Sequence, residues 1–337
     1  MTRRWLLAWG LAALAFGGSS LIVPLYVVEL GGDAFDLGLL FATSSFVGVP
    51  GALLFGNLAD RTGRRRVFVL VALAIAAVSM GAIPLLDAIL PVLVAYAVLW
   101  FAYAAAVPVL TVLAVAETPA EGWSGQLARL NRVQSVGWTA GLALGFVIIA
   151  GATTAVETIT AQRLFFFACA GSAGLGFAVA TRTLPADPSG SEQPTPRRFR
   201  GRLQQVTRGT ARGAAFPFVP GRFDPRGLSP RRLVRRFTPP LGVYFVAVFL
   251  VFTGFGTFLA PLPAYLSGVG YGSSVIFGLY LVLYASATAF FGRAAALADR
   301  YELLSVHIGS LLARGVALPL VLVVDILGTG VASLGAI

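Results

Sequence analysis

The sequence has no lysine, one cysteine and one histidine, and only 12% of its 337 residues are charged. Because Cys169 is the single cysteine, the chain can form neither an internal disulfide nor a metal site built from cysteines. Because His307 is the single histidine, a site with several histidine ligands and a histidine proton relay are excluded as well. We therefore predict a protein without a metal and without a cofactor.

Apolar residues are abundant instead: they make up 57% of the chain and give a mean hydropathy of +0.84. Apolar runs of about 20 residues recur, each long enough to cross about 30 Å of hydrocarbon. The start resembles an export signal, but its apolar run is too long for a cleaved signal, so we expect it to be retained. We predict spans at 5–30, 37–58, 67–86, 89–115, 133–152, 162–181, 240–266, 274–297 and 306–324, with a tenth from about 328.

The distribution of the 25 basic residues, all arginine, predicts the orientation of these spans. With the N-terminus in the cytoplasm, 23 arginines lie on the cytoplasmic side, Arg163 alone lies opposite, and Arg314 falls within a span. Cytoplasmic loops are enriched in basic residues, so this arrangement predicts a multi-pass protein of the cell membrane whose N-terminus and central loop are cytoplasmic. Because the net charge of +11 is carried by loops between spans, orientation explains it better than nucleic-acid binding does.

The second half of the chain repeats the first at a shift of 239 residues. The tetrapeptide LADR at 58–61 recurs at 297–300. The same shift pairs Phe16-Gly17 with Phe255-Gly256, Pro24 with Pro263, Tyr26 with Tyr265 and Gly31 with Gly270. Agreement of this kind on one register indicates two related halves, as in membrane proteins built from internal repeats.

The repeat and the composition together predict three parts: an N-terminal six-helix bundle at 1–182, an arginine-rich cytoplasmic linker at 183–238 and an incomplete C-terminal bundle at 239–337. The linker is rich in proline, glycine and serine and contains no apolar span, so it cannot bury enough apolar surface to fold alone. Two interpretations of its charge stay open. It is either a solvated connection or a short cationic helix lying on anionic lipid headgroups.

The segment Gly56-Asn-Leu-Ala-Asp-Arg-Thr-Gly-Arg-Arg-Arg66 joins the second and third spans. It resembles, letter for letter, the G-x-L-A-D-R-x-G-R-R loop of the major facilitator superfamily. The resemblance implies a fold of two helical bundles and a cytoplasmic latch that restrains one bundle against the other. The latch residues would be Gly56, Asp60, Arg61, Gly63, Arg64 and Arg65, with Asp299 and Arg300 in the second copy. Gly56 is expected to allow close helix approach and Gly63 a tight turn; alternatively, the arginines only anchor the topology.

The resemblance also implies a central cavity lined by spans 1, 4 and 7, with span 5 beside it. The candidates are Phe16, Ser20, Tyr26, Tyr96, Trp100, Tyr103, Asn131, Gln134, Phe255, Thr257 and Tyr265. Their aromatic character suggests binding by contact area and stacking with few hydrogen bonds. The alternative for each is ordinary packing or a place in the interfacial belt. Glu29, at the outer end of span 1, is a candidate protonation site, and a solvent-facing end residue is the alternative.

The predicted function is secondary transport of a small neutral or amphiphilic solute by a monomer. Span 4 has no basic residue, and the small-residue pattern Gly137-x3-Gly141-x3-Gly145 in span 5 has no proline, so both depart from the patterns of proton-coupled drug exporters in this family. The register places no counterpart of spans 11 and 12 before Ile337, so we expect a C-terminally truncated chain. A non-transporting receptor and a non-functional fragment are the alternatives. An enzyme is disfavoured because the sequence holds no paired intramembrane carboxylates, HExxH or GxSxG motif.

Overall fold

The computed structural model describes residues 4–186 apart from 117, 120 and 121, then 239–301, 305, 308–313, 315 and 316. The described residues contain helices and no strand, which confirms the predicted all-α fold. The helices are α1 (Trp5–Glu29), α2 (Ala34–Thr62), α3 (Arg65–Ala82), α4 (Ile89–Val115), α5 (Trp123–Ala152), α6 (Thr158–Thr183), α7 (Pro239–Leu259), α8 (Leu262–Gly268) and α9 (Ser273–Arg300).

Eight helical stretches in the described part are long and apolar enough to cross a membrane. They correspond to the first eight predicted spans, with α7 and α8 together forming the seventh and the first part of α9 the eighth. Residues 308–313 of the predicted ninth span are helical. The predicted tenth span and residues 187–238 of the linker lie outside the described residues.

Two predicted boundaries differ from the structure. Helix α5 begins at Trp123, ten residues before the predicted span, because hydropathy marks the membrane crossing while the helix continues into a polar segment containing Arg129 and Arg132. The seventh span is divided at Ala260 and Pro261, where α7 ends and α8 begins. Proline lacks a backbone N–H and interrupts helical hydrogen bonding, which explains the break.

The ends of the helices reproduce the 239-residue repeat. Helices α1 and α8 end at Glu29 and Gly268, and α2 and α9 begin at Ala34 and Ser273, so both pairs of ends differ by the same shift. A glycine with a positive φ follows each of α1 and α8: φ is 87° at Gly31 and 97° at Gly270. A left-handed glycine ends a helix without the steric cost that a side chain would add. The two halves therefore share their local turns as well as their sequence pattern.

Helix α1 lies at the centre of the first six helices and is buried along most of its length. It approaches α5 backbone to backbone: a Cβ at Gly141 would overlap the carbonyl oxygen of Leu14, and a Cβ at Gly17 would overlap the backbone of Trp138. Small residues permit such close contacts between membrane helices. The glycines of span 5 therefore serve close packing.

Helix α9 joins the second half to the first by packing against α5. Phe277, fully buried, meets Phe165 of α6 edge to face at 5.5 Å and occupies the space that a side chain at Gly145 would need. Further along the same interface, the hydroxyl of Thr288 lies 3.0 Å from that of Ser135 and 3.3 Å from that of Thr139. The interface therefore has an aromatic end and a hydroxyl-lined end.

Candidate functional site

Seven aromatic side chains from four helices meet between α1, α4, α5 and α9, and we call them the aromatic cluster. Its members are Trp9 and Phe16 of α1, Tyr96, Trp100 and Tyr103 of α4, Trp138 of α5 and Tyr284 of α9. None of the seven side chains is charged. Because Tyr284 belongs to the second half of the chain and the other six belong to the first, the cluster extends across both halves.

Tyr103 is at the centre of the aromatic cluster. Its ring centroid lies 4.9 Å from that of Phe16 and 5.3 Å from that of Trp100, both near edge-to-face. It is stacked on Trp9, with centroids 6.0 Å apart and an interplanar angle of 18°. Trp138 completes the surround at 6.2 Å. These separations lie in the range where aromatic pairs attract beyond simple burial of area.

A chain of hydrogen bonds fixes the polar edge of the cluster. The indole N–H of Trp9 donates to Oε1 of Gln134 at 3.2 Å, and Nε2 of Gln134 donates to the hydroxyl of Tyr103 at 2.7 Å. Because an indole nitrogen only donates, this contact sets which end of the amide faces Trp9. Gln134 thus positions Tyr103, and this candidate residue lies at the edge of the aromatic cluster.

Four other polar atoms at this junction are buried and have no hydrogen-bond partner of normal geometry among the described residues. They are the indole nitrogens of Trp100 and Trp138 and the hydroxyls of Tyr96 and Tyr280. Tyr96 is 0% exposed and Tyr280, one turn before Tyr284 on α9, is 8% exposed. Buried polar groups normally find partners, and leaving one unpaired costs about 1–3 kcal/mol. Unpaired groups concentrated in one place therefore call for an explanation.

Of the cavity candidates on spans 1, 4 and 5, the structure brings Phe16, Tyr96, Trp100, Tyr103 and Gln134 together. The remaining ones on these spans lie elsewhere. The hydroxyl of Ser20 donates to the carbonyl of Gly17 on its own helix at 2.7 Å. Asn131 is exposed.

Tyr26 lies at the end of α1 away from the cluster. Its hydroxyl donates to the carbonyl of Leu86 at 2.9 Å and accepts from Nε of Arg163 at 3.3 Å. Arg163 also pairs with Asp87. Tyr26 therefore ties α1 to α6 and to the turn before α4. Its place in the structure is that of a packing residue.

The candidates of the seventh span are not part of the cluster. Thr257 is exposed, and its hydroxyl donates to the carbonyl of Thr253 at 2.9 Å. Tyr265 is 47% exposed. Phe255 belongs to α7, but its side chain lies outside the described residues. Glu29 is exposed at the last residue of α1.

Sequence reasoning missed Trp9, Trp138, Tyr280 and Tyr284. Trp9 lies seven residues before Phe16, which is two helical turns and therefore the same face, so periodicity could have added it. Tyr280 and Tyr284 are spaced i, i+4 and also share a face. Nothing in the sequence indicates that this face of α9 meets α5, so Trp138 and the two tyrosines had no comparable signal.

The loop between α2 and α3 has the tight turn expected of it. Gly63 has a φ of 70° and its N–H donates to the carbonyl of Ala59 at 2.9 Å. The hydroxyl of Thr62 accepts from the N–H of Arg64 at 3.3 Å. Gly56 differs from expectation: a Cβ there would meet Pro108 at 3.9 Å, an ordinary contact. Close approach of α2 and α4 requires a glycine at Gly51, where a Cβ would lie 2.8 Å from the carbonyl of Phe101.

The charged residues of this loop differ in exposure. Asp60, Arg61 and Arg64 are exposed, whereas Nε of Arg65 is buried without a hydrogen-bond partner among the described residues. Arg65 is close enough to Asp60 for their opposite charges to interact. The second copy of the motif ends α9, and the side chains of Asp299 and Arg300 lie outside the described residues.

Comparisons with known proteins agree with this architecture. The sequence profile of the Major Facilitator Superfamily matches residues 5–337. A crystal structure of the nucleoside transporter NupG is similar with a TM-score of 0.62 and 11% identity, over 90% of this chain and 69% of that one. A second crystal structure, of a point mutant of NupG, has a TM-score of 0.48 and 13% identity, over 61% of this chain and 49% of that one.

This chain thus spans 49% to 69% of the length of those solved structures. At 11% identity, the likeness to the structure with a TM-score of 0.62 concerns the fold alone. No curated protein sequence matches the chain. The profile covers nearly every residue, and the loop, the repeat and the eight apolar helices agree with it. The chain is therefore a multi-pass membrane protein that belongs to the Major Facilitator Superfamily of transporters.

Proposed function

We propose that the chain moves a small neutral or amphiphilic solute by secondary active transport, with the two repeats rocking about the aromatic cluster. The observation that carries this proposal is the position of the cluster. It joins α1, α4 and α5 of the first repeat to α9 of the second, where Trp138 and Tyr284 lie 6.2 Å apart. Transporters built from repeats bind their substrates at the interface between the repeats, near the middle of the membrane.

The chemistry of the cluster supports an uncharged solute. Among the described residues, no arginine, aspartate or glutamate contributes a side chain to it. A charge moved from water into such surroundings would lose its hydration without gaining a counter-charge. Aromatic faces instead offer contact area and stacking, which suit a neutral or amphiphilic ring.

The interface between the repeats supports movement. At one point it consists of three hydroxyls, those of Ser135, Thr139 and Thr288, within 3.0 to 3.3 Å. Hydrogen bonds between membrane helices contribute only modestly, about 0.6 kcal/mol on average where measured. Such contacts can exchange for others as the halves separate.

The signature loop supplies the latch in this proposal. Arg64 is the N-cap of α3, Arg65 and Arg66 follow in its first turn, and that turn has no acidic residue. Cations are unfavourable at a helix N-terminus, and Asp60 is equally unfavourable in the last turn of α2, because each opposes the local helix dipole. Charges that are unfavourable for their own helix dipole are better explained by an interaction with another part of the molecule. On this ground we assign Asp60, Arg64 and Arg65 to restraining the second repeat. Arg61, which complements the dipole of α2, is assigned with them because it belongs to the same motif.

The orientation belongs to the same proposal: the N-terminus and the segment 183–238 are cytoplasmic in a cell-membrane protein, with the arginines of that segment near anionic headgroups. The pairing of Arg163 with Asp87 agrees with the assignment of both residues to one side of the membrane. Protease added to sealed cells should leave 183–238 intact and cut it only after permeabilisation. Cleavage in sealed cells would contradict the orientation. A monomer is proposed because the cluster forms within one chain.

A reversible cross-link tests alternating access without knowledge of the solute. In a Cys169→Ala background, Ser135→Cys and Thr288→Cys should form a disulfide, because the two native hydroxyl oxygens lie 3.0 Å apart. Oxidation should lower hydrogen–deuterium exchange at one end of the α5–α9 interface and raise it at the other, and should alter exchange in residues 56–66. The reduced variant and Ser135→Cys alone are the controls. An exchange pattern indifferent to the cross-link would contradict the rocking movement.

A further inference from the structure

The unpaired polar atoms at the junction of α4, α5 and α9 define the solute more closely. We propose that Tyr96 and Tyr280, with the indoles of Trp100 and Trp138, bind a neutral ring-bearing solute through at least two acceptor atoms, such as hydroxyl, ether or carbonyl oxygens. This inference rests on the proposed function, because it takes the junction as the transport site.

The hydrogen-bond donors at the junction provide the first support for this inference. An indole nitrogen can only donate. That of Trp138 is buried with no partner among the described residues, and that of Trp100 lies near the hydroxyl of Tyr96 without forming a hydrogen bond of normal geometry. The two rings lie 6.2 Å apart, which places both donors in one region. The phenolic hydroxyls of Tyr96 and Tyr280 can donate as well. A solute rich in acceptors satisfies all four groups, whereas a hydrocarbon satisfies none.

The burial of the two tyrosine hydroxyls provides the second support. Tyr96 is 0% exposed and Tyr280 is 8% exposed, yet neither hydroxyl makes a hydrogen bond of normal geometry among the described residues. The two come from different repeats, Tyr96 from α4 and Tyr280 from α9. A solute held by both would contact both halves at once. That arrangement couples occupancy of the site to the relative position of the repeats.

Charge excludes the other solute classes. Donors alone could approach an anion, but the cluster offers no cation to balance it in an apolar interior. Aromatic faces attract cations, but the indole N–H groups of Trp100 and Trp138 are donors only and offer a cation no lone pair. The remaining class is a neutral molecule with a ring to stack on Trp100, Tyr103 and Trp138 and oxygens to accept the donors.

Removing single hydroxyls tests the inference, since tyrosine to phenylalanine keeps the ring. Without solute, Tyr96→Phe and Tyr280→Phe should melt at or above the wild-type temperature, because each deletes a buried unpaired group. Tyr26→Phe is the matched control. Its hydroxyl donates to Leu86 and accepts from Arg163, so its loss should lower the melting temperature.

Binding is then measured on the full chain in detergent with three probes that each carry one phenyl ring and differ in charge: phenyl β-D-glucopyranoside, benzoate and benzyltrimethylammonium. The glucoside should raise the wild-type melting temperature and the two ions should not. Its affinity should fall about 3- to 10-fold in Tyr96→Phe and in Tyr280→Phe, as expected for one lost hydrogen bond, and stay unchanged in Tyr26→Phe.

Three results would overturn the inference. The first is stabilisation by either ion in place of the glucoside, and the second is no binding of the glucoside. The third is a loss of stability in Tyr96→Phe and Tyr280→Phe equal to that of Tyr26→Phe with glucoside affinity unchanged, which would assign these hydroxyls to water or packing. The cross-link experiment uses no solute, so a failure there with glucoside binding intact would reject transport and keep the site.

Discussion

The two copies of the repeat share the glycine turn after their first span but have very different surroundings. Tyr26 of the first copy is 0% exposed, whereas Tyr265, its counterpart, is 47% exposed. Helix α1 contains buried residues from Trp5 to Val27, whereas every described side chain of α7 is half-buried or exposed. Helices α5 and α6 flank α1, and within the described residues α7 has no such neighbours. The comparison teaches that a repeated sequence determines turns and helix ends, while burial depends on which helices pack alongside.

The largest expected effect distinguishes Phe277 from its counterpart one repeat earlier, Gly38. Phe277 fills the space beside Gly145 and Phe165, whereas nothing lies within 4 Å of a Cβ at Gly38. Phe277→Ala should lower the free energy of unfolding by about 3–5 kcal/mol through loss of a buried aromatic ring. Gly38→Ala should change it little. Thermal unfolding in detergent measures both, and equal losses would show that α9 does not rely on this contact.

A smaller effect separates Gly17 from Gly256. A Cβ at Gly17 would overlap the backbone of Trp138, but a Cβ at Gly256 would meet nothing within 4 Å. Gly17→Ala should destabilise the protein by about 1–3 kcal/mol, because α1 and α5 must move apart. Gly256→Ala should stabilise it by about 0.5–1 kcal/mol, since alanine favours helix. A large loss at Gly256 would mean that the second copy packs as closely as the first.

The smallest effect concerns the caps of α2 and α9. The carboxylate of Asp33 accepts from the N–H groups of Phe35 and Asp36 at 2.8 and 3.1 Å, and Asp36 returns a bond to the N–H of Asp33. The equivalent residue, Gly272, has no side chain to cap α9. Asp33→Ala should cost about 1 kcal/mol, and Gly272→Asp should gain a few tenths. Chemical denaturation measures the free energy of unfolding of both variants. An unchanged free energy in Asp33→Ala would show that the cap does not distinguish the two copies.

Several features were predictable because they depend on short stretches of chain. The spans follow from apolar length, the Gly31 and Gly270 turns from the repeated glycines, and the turn at Gly63 from its place between two helices. The division of α7 from α8 was less predictable, because Pro24 is accommodated inside α1 whereas Pro261 and Pro263 accompany a break. The first copy has Ile22 where the second has Pro261, so one added proline separates the two outcomes.

The site was predicted only in part, for the same reason. Family resemblance indicated the faces of spans 1 and 4, so four members of the aromatic cluster, Phe16, Tyr96, Trp100 and Tyr103, were among the candidates. Tyr26 was also proposed, but its neighbours are Leu86 and Arg163, which no helical pattern could indicate.

By itself the sequence determined the membrane class, the internal repeat, the glycine turns and the family, because apolar length, glycine conformation and a signature loop are properties of neighbouring residues. The tertiary structure alone decided that Trp138 and Tyr284 meet, that Gln134 links Trp9 to Tyr103, and that Tyr96 and Tyr280 are buried unpaired. These facts depend on contacts between helices that are distant in the chain, for which local pattern carries no information.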